Sequence, residues 1–124
     1  MSPDPAGAQA ATMRVLIVED EADLRMLLAD ALTQQGFAVD TAADGIEAIR
    51  SVSKSRPDLV VMDLMLPVYG GFEVLKRMQK AEFAGLPVVV ITGRYTDPTM
   101  EELIRREPNV VGFFGKPVDA DKLG

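Results

Sequence analysis

Val15-Leu16-Ile17-Val18-Glu19-Asp20 is a short apolar run that breaks off abruptly into two acids. The same shape recurs downstream, where Leu59-Val60-Val61-Met62 ends at Asp63 and Val88-Val89-Val90-Ile91 ends at Thr92-Gly93. Uninterrupted, β-branched runs of this length suit strands buried on both faces, as a parallel sheet requires. Phe37, Val39 and Thr41 alternate with Ala38 and Asp40, the pattern of an edge strand, and Val110-Val111-Gly112-Phe113-Phe114 is a fifth strand candidate.

Helical periods lie between these runs. Leu24, Leu27, Leu28, Ala31 and Leu32 follow the i, i+3, i+4, i+7, i+8 template, and Gly36 is placed to stop that helix. Ile46, Ile49 and Val52 mark a second helix closed before Pro57, and Phe72, Leu75 and Met78 a third. Met100, Leu103 and Ile104 mark a fourth, with Pro98 near its first turn, and a last helix begins near Asp119. The order βαβαβαβαβ with right-handed crossovers gives an α/β fold, an open doubly wound parallel sheet of five strands with helices on both faces.

Composition narrows the chemistry. The chain has 124 residues, 13 basic and 19 acidic, a formal net charge of -6, and neither cysteine nor histidine. A length of this order fits one domain, and 48% apolar residues suffice for a core. Residues 1–12 are small, Pro/Ala-rich and aperiodic and read as a flexible N-terminal tail, with residues 13–124 as the domain. That tail lacks the charge and apolar pattern of a secretory signal, and no apolar stretch approaches the ~20 residues of a membrane helix. Without cysteine there is no disulfide scaffold or thiolate metal site, and without histidine the usual general base and zinc ligand are missing. The acidic balance argues against direct nucleic-acid binding. The expectation is a cytoplasmic domain working through carboxylates, hydroxyls and lysine.

Glu19 with Asp20, then Asp63, Thr92 and Lys116, follow the C-terminal ends of four different apolar runs. In a doubly wound sheet those ends share one edge, where such folds bind ligands. Taken singly, each has a plain explanation: Asp20 as a helix cap, Asp63 as a turn residue before Pro67, Thr92 as a strand end, Lys116 as a surface lysine. Together they form a pattern. Carboxylates on neighbouring strand ends repel one another unless something positive sits among them. A hard divalent cation with oxygen ligands, such as magnesium, answers that need.

These motifs, in this order, make the chain resemble the receiver domain of the two-component response-regulator family from about Arg14 to Asp119. The match consists of VLIVED (Val15 to Asp20), Asp63 with its turn to Gly71, the strand from Val88 to Thr92, and Lys116-Pro117 with Phe113 three residues earlier. The resemblance implies the flavodoxin-like strand order 2-1-3-4-5. It implies that Asp63 accepts a phosphoryl group from a sensor histidine kinase or phosphotransfer protein. Mg2+ would be held by Asp20, by Asp63, by the Met65 backbone carbonyl, and by Glu19 mainly through water. Lys116 would pair with the phosphoryl oxygens, Thr92 would hydrogen-bond one of them, and Phe113 would change rotamer as Thr92 moves. The outcome would be a switch read on the face of the fourth helix and fifth strand, with kinase choice set on the first helix. It would act on an output domain or downstream protein, dimerise on phosphorylation, and catalyse nothing beyond its own phosphorylation and dephosphorylation.

The chain departs from the family pattern at Gly70, where Asp or Asn is common, at Phe113, where Tyr is common, and at Glu107-Pro108-Asn109, where a Gly-Ala pair is usual. It stops at Gly124, short of the family's full last helix, which is therefore read as truncated. A degenerate receiver would not need all five site residues. A haloacid-dehalogenase-type phosphatase needs a second acid two residues after its nucleophile, where this chain has Met65, and a dinucleotide-binding domain needs a glycine-rich turn after the first strand.

Overall fold

The computed structural model describes residues 13–63, 71–80, 85–92, 102–103 and 105–115. The elements run β1 (Arg14–Val18), α1 (Ala22–Gln34), β2 (Ala38–Ala42), α2 (Gly45–Ser55), β3 (Leu59–Asp63), α3 (Gly71–Arg77), β4 (Val88–Thr92) and β5 (Val110–Gly115). All strand pairs are parallel, in the order β2-β1-β3-β4-β5. This is the doubly wound sheet expected, with β2 on an edge. Of the fourth helix, Glu102, Leu103 and Arg105 are helical. Met100, Ile104, the tail at residues 1–12 and the last helix from Asp119 lie outside the described residues.

Two apolar layers explain why the strands read as continuous runs. Leu16, Val18, Val60, Met62, Val88 and Val90 point to one face, where Ala48 and Val52 of α2 and Val74 and Leu75 of α3 cover them. Val15, Ile17, Val61 and Ile91 point to the other, under Leu28 and Leu32 of α1. With successive residues buried on opposite sides, neither parity along β1 or β3 can be polar.

The helices differ from their templates in detail. Leu27 is 58% exposed and Met26 63%. The Leu24, Leu28 and Leu32 row faces the sheet, and Leu27 sits about 100° round the helix from Leu28. On α2 the buried row is Gly45, Ala48 and Val52, leaving Ile46 exposed. Leu103 is exposed as well. Helix ends follow the sequence closely. Gly36, at φ 104°, takes the left-handed position after α1. There its N–H donates to Thr33 O (3.0 Å) and Phe37 N–H to Leu32 O (3.1 Å), the paired bonds of a Schellman stop. At the start of α2, Asp44 accepts from Glu47 N–H (2.8 Å) while Glu47 accepts from Ala43 N–H (3.0 Å).

The β4–β5 pair is irregular. Val88 aligns with Val110 but Val89 with Gly112, so Val111 is an extra residue in the register, 64% exposed. Ahead of it, the Glu107-Pro108-Asn109 departure forms a polar clamp on α3. Asn109 Nδ2 donates to Leu75 O (3.4 Å), and Gln79 Nε2 donates to Asn109 Oδ1 (3.1 Å) and Glu107 Oε1 (2.6 Å). Lys76 Nζ lies 3.0 Å from Glu107 Oε1.

Candidate phosphoacceptor and metal site

The parallel register builds the site. Val18 pairs with Met62, so the next residues along, Glu19 and Asp63, come level at the C-terminal edge of the sheet. Asp63 is the last residue of β3 and pairs with Ile91, one residue before Thr92. Thr92 pairs with Gly115, which immediately precedes Lys116 in the chain. Backbone pairing thus aligns the C-terminal ends of β1, β3, β4 and β5, the four strand ends singled out in the sequence, along one edge.

Glu19, Asp20 and Asp63 bring carboxylate oxygens within 4.8 Å of one another. Two of them are buried, Glu19 at 0% and Asp63 at 3% exposure, while Asp20 is open to solvent. The three-acid cluster therefore joins two buried carboxylates to one that is open to solvent.

The turn that carries the acids is tightly held. Glu19 N–H donates to Ala42 O (3.0 Å) at the end of β2, and Glu19 Oε2 accepts from Glu21 N–H (3.0 Å). Arg25 reaches back from α1 to donate from Nη1 to Glu19 O (2.8 Å). The N-cap of α1 is Glu21 rather than Asp20, which corrects the plain reading of Asp20 as a cap and leaves its carboxylate among the site acids. Arg25 went unread in the sequence. Its signal is a cation one turn into a helix, where the macrodipole disfavours positive charge unless local anions or carbonyls receive it.

The donor set suits a hard cation. Oxygen ligands about 2.0–2.1 Å from an octahedral ion lie about 2.9 Å apart when adjacent and about 4.2 Å when opposite, so carboxylate oxygens within 4.8 Å of one another reach a shared ion by side-chain adjustment alone. One Glu19 oxygen is already engaged by a backbone amide, whereas Asp20 offers an exposed carboxylate.

Phe113 lies two residues back from the end of the β5 pairing, level with Val90, and packs on the α2/α3 face of the core. The Arg105 guanidinium lies over its ring, 5.0 Å from the centroid. Met65, Gly70, Lys116 and the Thr92 side chain lie outside the described residues, as does the turn between Asp63 and Gly71.

Comparison with known proteins agrees with this geometry. The family model of the response regulator receiver domain matches residues 15–124. The transcriptional regulatory protein TcrA of Mycobacterium tuberculosis is 36% identical over 121 residues, covering 98% of this chain and 47% of the relative. Sporulation initiation phosphotransferase F of Bacillus subtilis is 33% identical over 110 residues, covering 89% of this chain and 86% of that protein. Among solved structures, a response regulator receiver protein from Pseudomonas putida superposes with a TM-score of 0.84 at 30% identity, covering 91% of this chain and 93% of that one. The chain spans about half the length of relatives such as TcrA.

Proposed function

Because the chain belongs to the response regulator receiver domain family of two-component signalling, we propose that it is a switch thrown by phosphorylation of Asp63. The observation that carries this reading is the cluster of Glu19, Asp20 and Asp63, with carboxylate oxygens within 4.8 Å at the C-terminal edge of the sheet.

In this reading an Asp63 carboxylate oxygen attacks the phosphorus of a phosphohistidine on a sensor kinase or phosphotransfer protein. The P–O bond forms as the P–N bond breaks, and the electron pair leaves with the imidazole nitrogen, which takes up a proton. Asp20, Asp63 and the Met65 carbonyl would hold Mg2+, with Glu19 acting through water. The bound ion supplies charge neutralisation for the incoming phosphoryl oxygens. Glu19, pinned by Glu21 N–H and Ala42 O, and Arg25, on the Glu19 carbonyl, keep the acid pair aimed across at Asp63.

Lys116 and Thr92 donate to the phosphoryl oxygens. A phosphoryl group adds about -1.5 to -2 of charge, so its oxygens give these donors new partners in the phosphorylated state. Such differential contacts are what shift a two-state equilibrium. Phe113 follows Thr92, and the change is read on the face of the fourth-helix segment and β5, where Leu103 and Val111 are exposed. Homodimerisation on phosphorylation uses that face. The phosphodonor docks beside the acids on α1, where exposed Met26 and Leu27 are flanked by Asp23 and Asp30. An output domain or a downstream cytoplasmic protein receives the signal. Among the described residues no helix is long and apolar enough to cross a membrane.

Intact-protein mass spectrometry after incubation with acetyl phosphate and Mg2+ tests the reading. One added phosphoryl group is expected, lost in Asp63→Asn and when the ion is chelated. A folded chain that stays unmodified would sink the proposal.

A further inference from the structure

Phe113 is half-buried between two surfaces. One side packs on the core cluster that includes Met62 and Val90, and the Arg105 guanidinium covers the ring at 5.0 Å. Arg105 is exposed and belongs to the helical segment before β5, so the contact joins that segment to the strand. Phe113 sits two residues back from the Thr92–Gly115 pair, about 7 Å along the strand from the site edge.

A cation over a ring is attracted by the negative face of the π system. Rotating χ1 to another staggered well carries the ring out from under the guanidinium. The contact therefore stabilises this orientation and no other. Phenylalanine has no hydroxyl, so the cation takes the anchoring role that a hydrogen bond would play for tyrosine. Arg105 holds the ring without being part of the acid site.

We propose that Arg105 is a latch on Phe113, holding the ring in its half-buried orientation and so opposing the ring movement that accompanies phosphorylation of Asp63. The latch rests on the receiver reading given above. At an exposed site such a contact is worth a two- to fivefold change in equilibrium, roughly.

Titration of the whole chain with beryllofluoride and Mg2+, followed by NMR with ring-labelled phenylalanine, tests the latch. Arg105→Ala is expected to shift the Phe113 ring resonances before any addition and to tighten beryllofluoride binding about two- to fivefold. Arg105→Lys should keep part of the wild-type behaviour. Arg106→Ala, a neighbour paired with Glu102 at 3.2 Å, should match wild type. In a Phe113→Leu background, Arg105→Ala should change the affinity little, which separates the ring contact from anything else Arg105 touches. Unmoved ring resonances, unchanged or weakened binding in Arg105→Ala, or an equal change without the Phe113 ring would each overturn the latch. A wild-type chain that takes up no beryllofluoride would instead overturn the receiver reading, and the latch with it.

Discussion

The two flanks of β3 are built by different rules. On one side, β1 and β3 pair in unbroken register, and Val15 to Val18 and Val60 to Met62 are sealed on both faces. On the other, β5 joins β4 through a register shift, exposes Val111 and is anchored by the polar clamp of Asn109, Gln79 and Glu107. In the proposed switch, the first flank holds the acids whose spacing must not vary. The second carries Phe113, which in the proposed switch has to move. Close apolar packing fixes one arrangement, because a one-residue slip in register would drive every side chain into the opposite layer and spoil the packing of both. Hydrogen bonds and a cation–π contact fix an arrangement more weakly and more adjustably.

Breaking each flank at its anchor sharpens that contrast. Leu16→Ala, at a fully buried position in the α2/α3-facing core, should cost about 2–5 kcal/mol in urea unfolding and disturb the site with it. A cost under about 1 kcal/mol would show that the centre relaxes more freely than its packing implies. Asn109→Ala should cost less, about 1–3 kcal/mol, by taking the side-chain donor from Leu75 O and one of two acceptors from Gln79. Its effect should concentrate in β5, with the amides of Val110 to Phe113 losing hydrogen-exchange protection before those of β1. Uniform loss across the sheet would contradict the division into a rigid and an adjustable flank.

The division also explains what could be read from sequence. Strands buried on both faces write themselves as continuous apolar runs, so β1, β3 and β4 and the acids at the ends of β1 and β3 were legible in the sequence, while β2 was legible from the alternation of an edge strand. Gly36 was legible as a stop because its left-handed position is a local requirement. The exposure of Leu27 was not, since the helical period admits two adjacent rows and only contact with the sheet chooses between them. The extra residue at Val111 was invisible in a run that is apolar whether or not it bulges. The clamp joins Gln79 to residues 28 and 30 positions away, and nothing in either segment announces the other. Glu107-Pro108-Asn109 was legible only as a departure from pattern. The structure gives the departure a role, as the anchor of β5 on α3.

The smallest expected effect lies within that anchor and is read through pH. Hydrogen bonding from Gln79, opposed in part by burial and aided by Lys76, holds the Glu107 carboxyl below its ordinary value of 4.5. A carboxyl whose value is lowered by folding stabilises the folded chain above its unfolded value. It gives up that contribution as pH falls through the folded one. Glu107→Gln keeps an acceptor for Gln79 but removes the charge facing Lys76, whose side chain is half exposed, so the loss at neutral pH should fall within about 0–1 kcal/mol. Wild type and variant should differ most near neutrality, and their stabilities should converge as pH drops below 4.5. A gap that stays constant down to acid pH would mean that the charge contributes nothing and that the clamp works through neutral hydrogen bonds alone. In that case the adjustable flank would owe its hold on β5 to Asn109, and salt would leave it untouched.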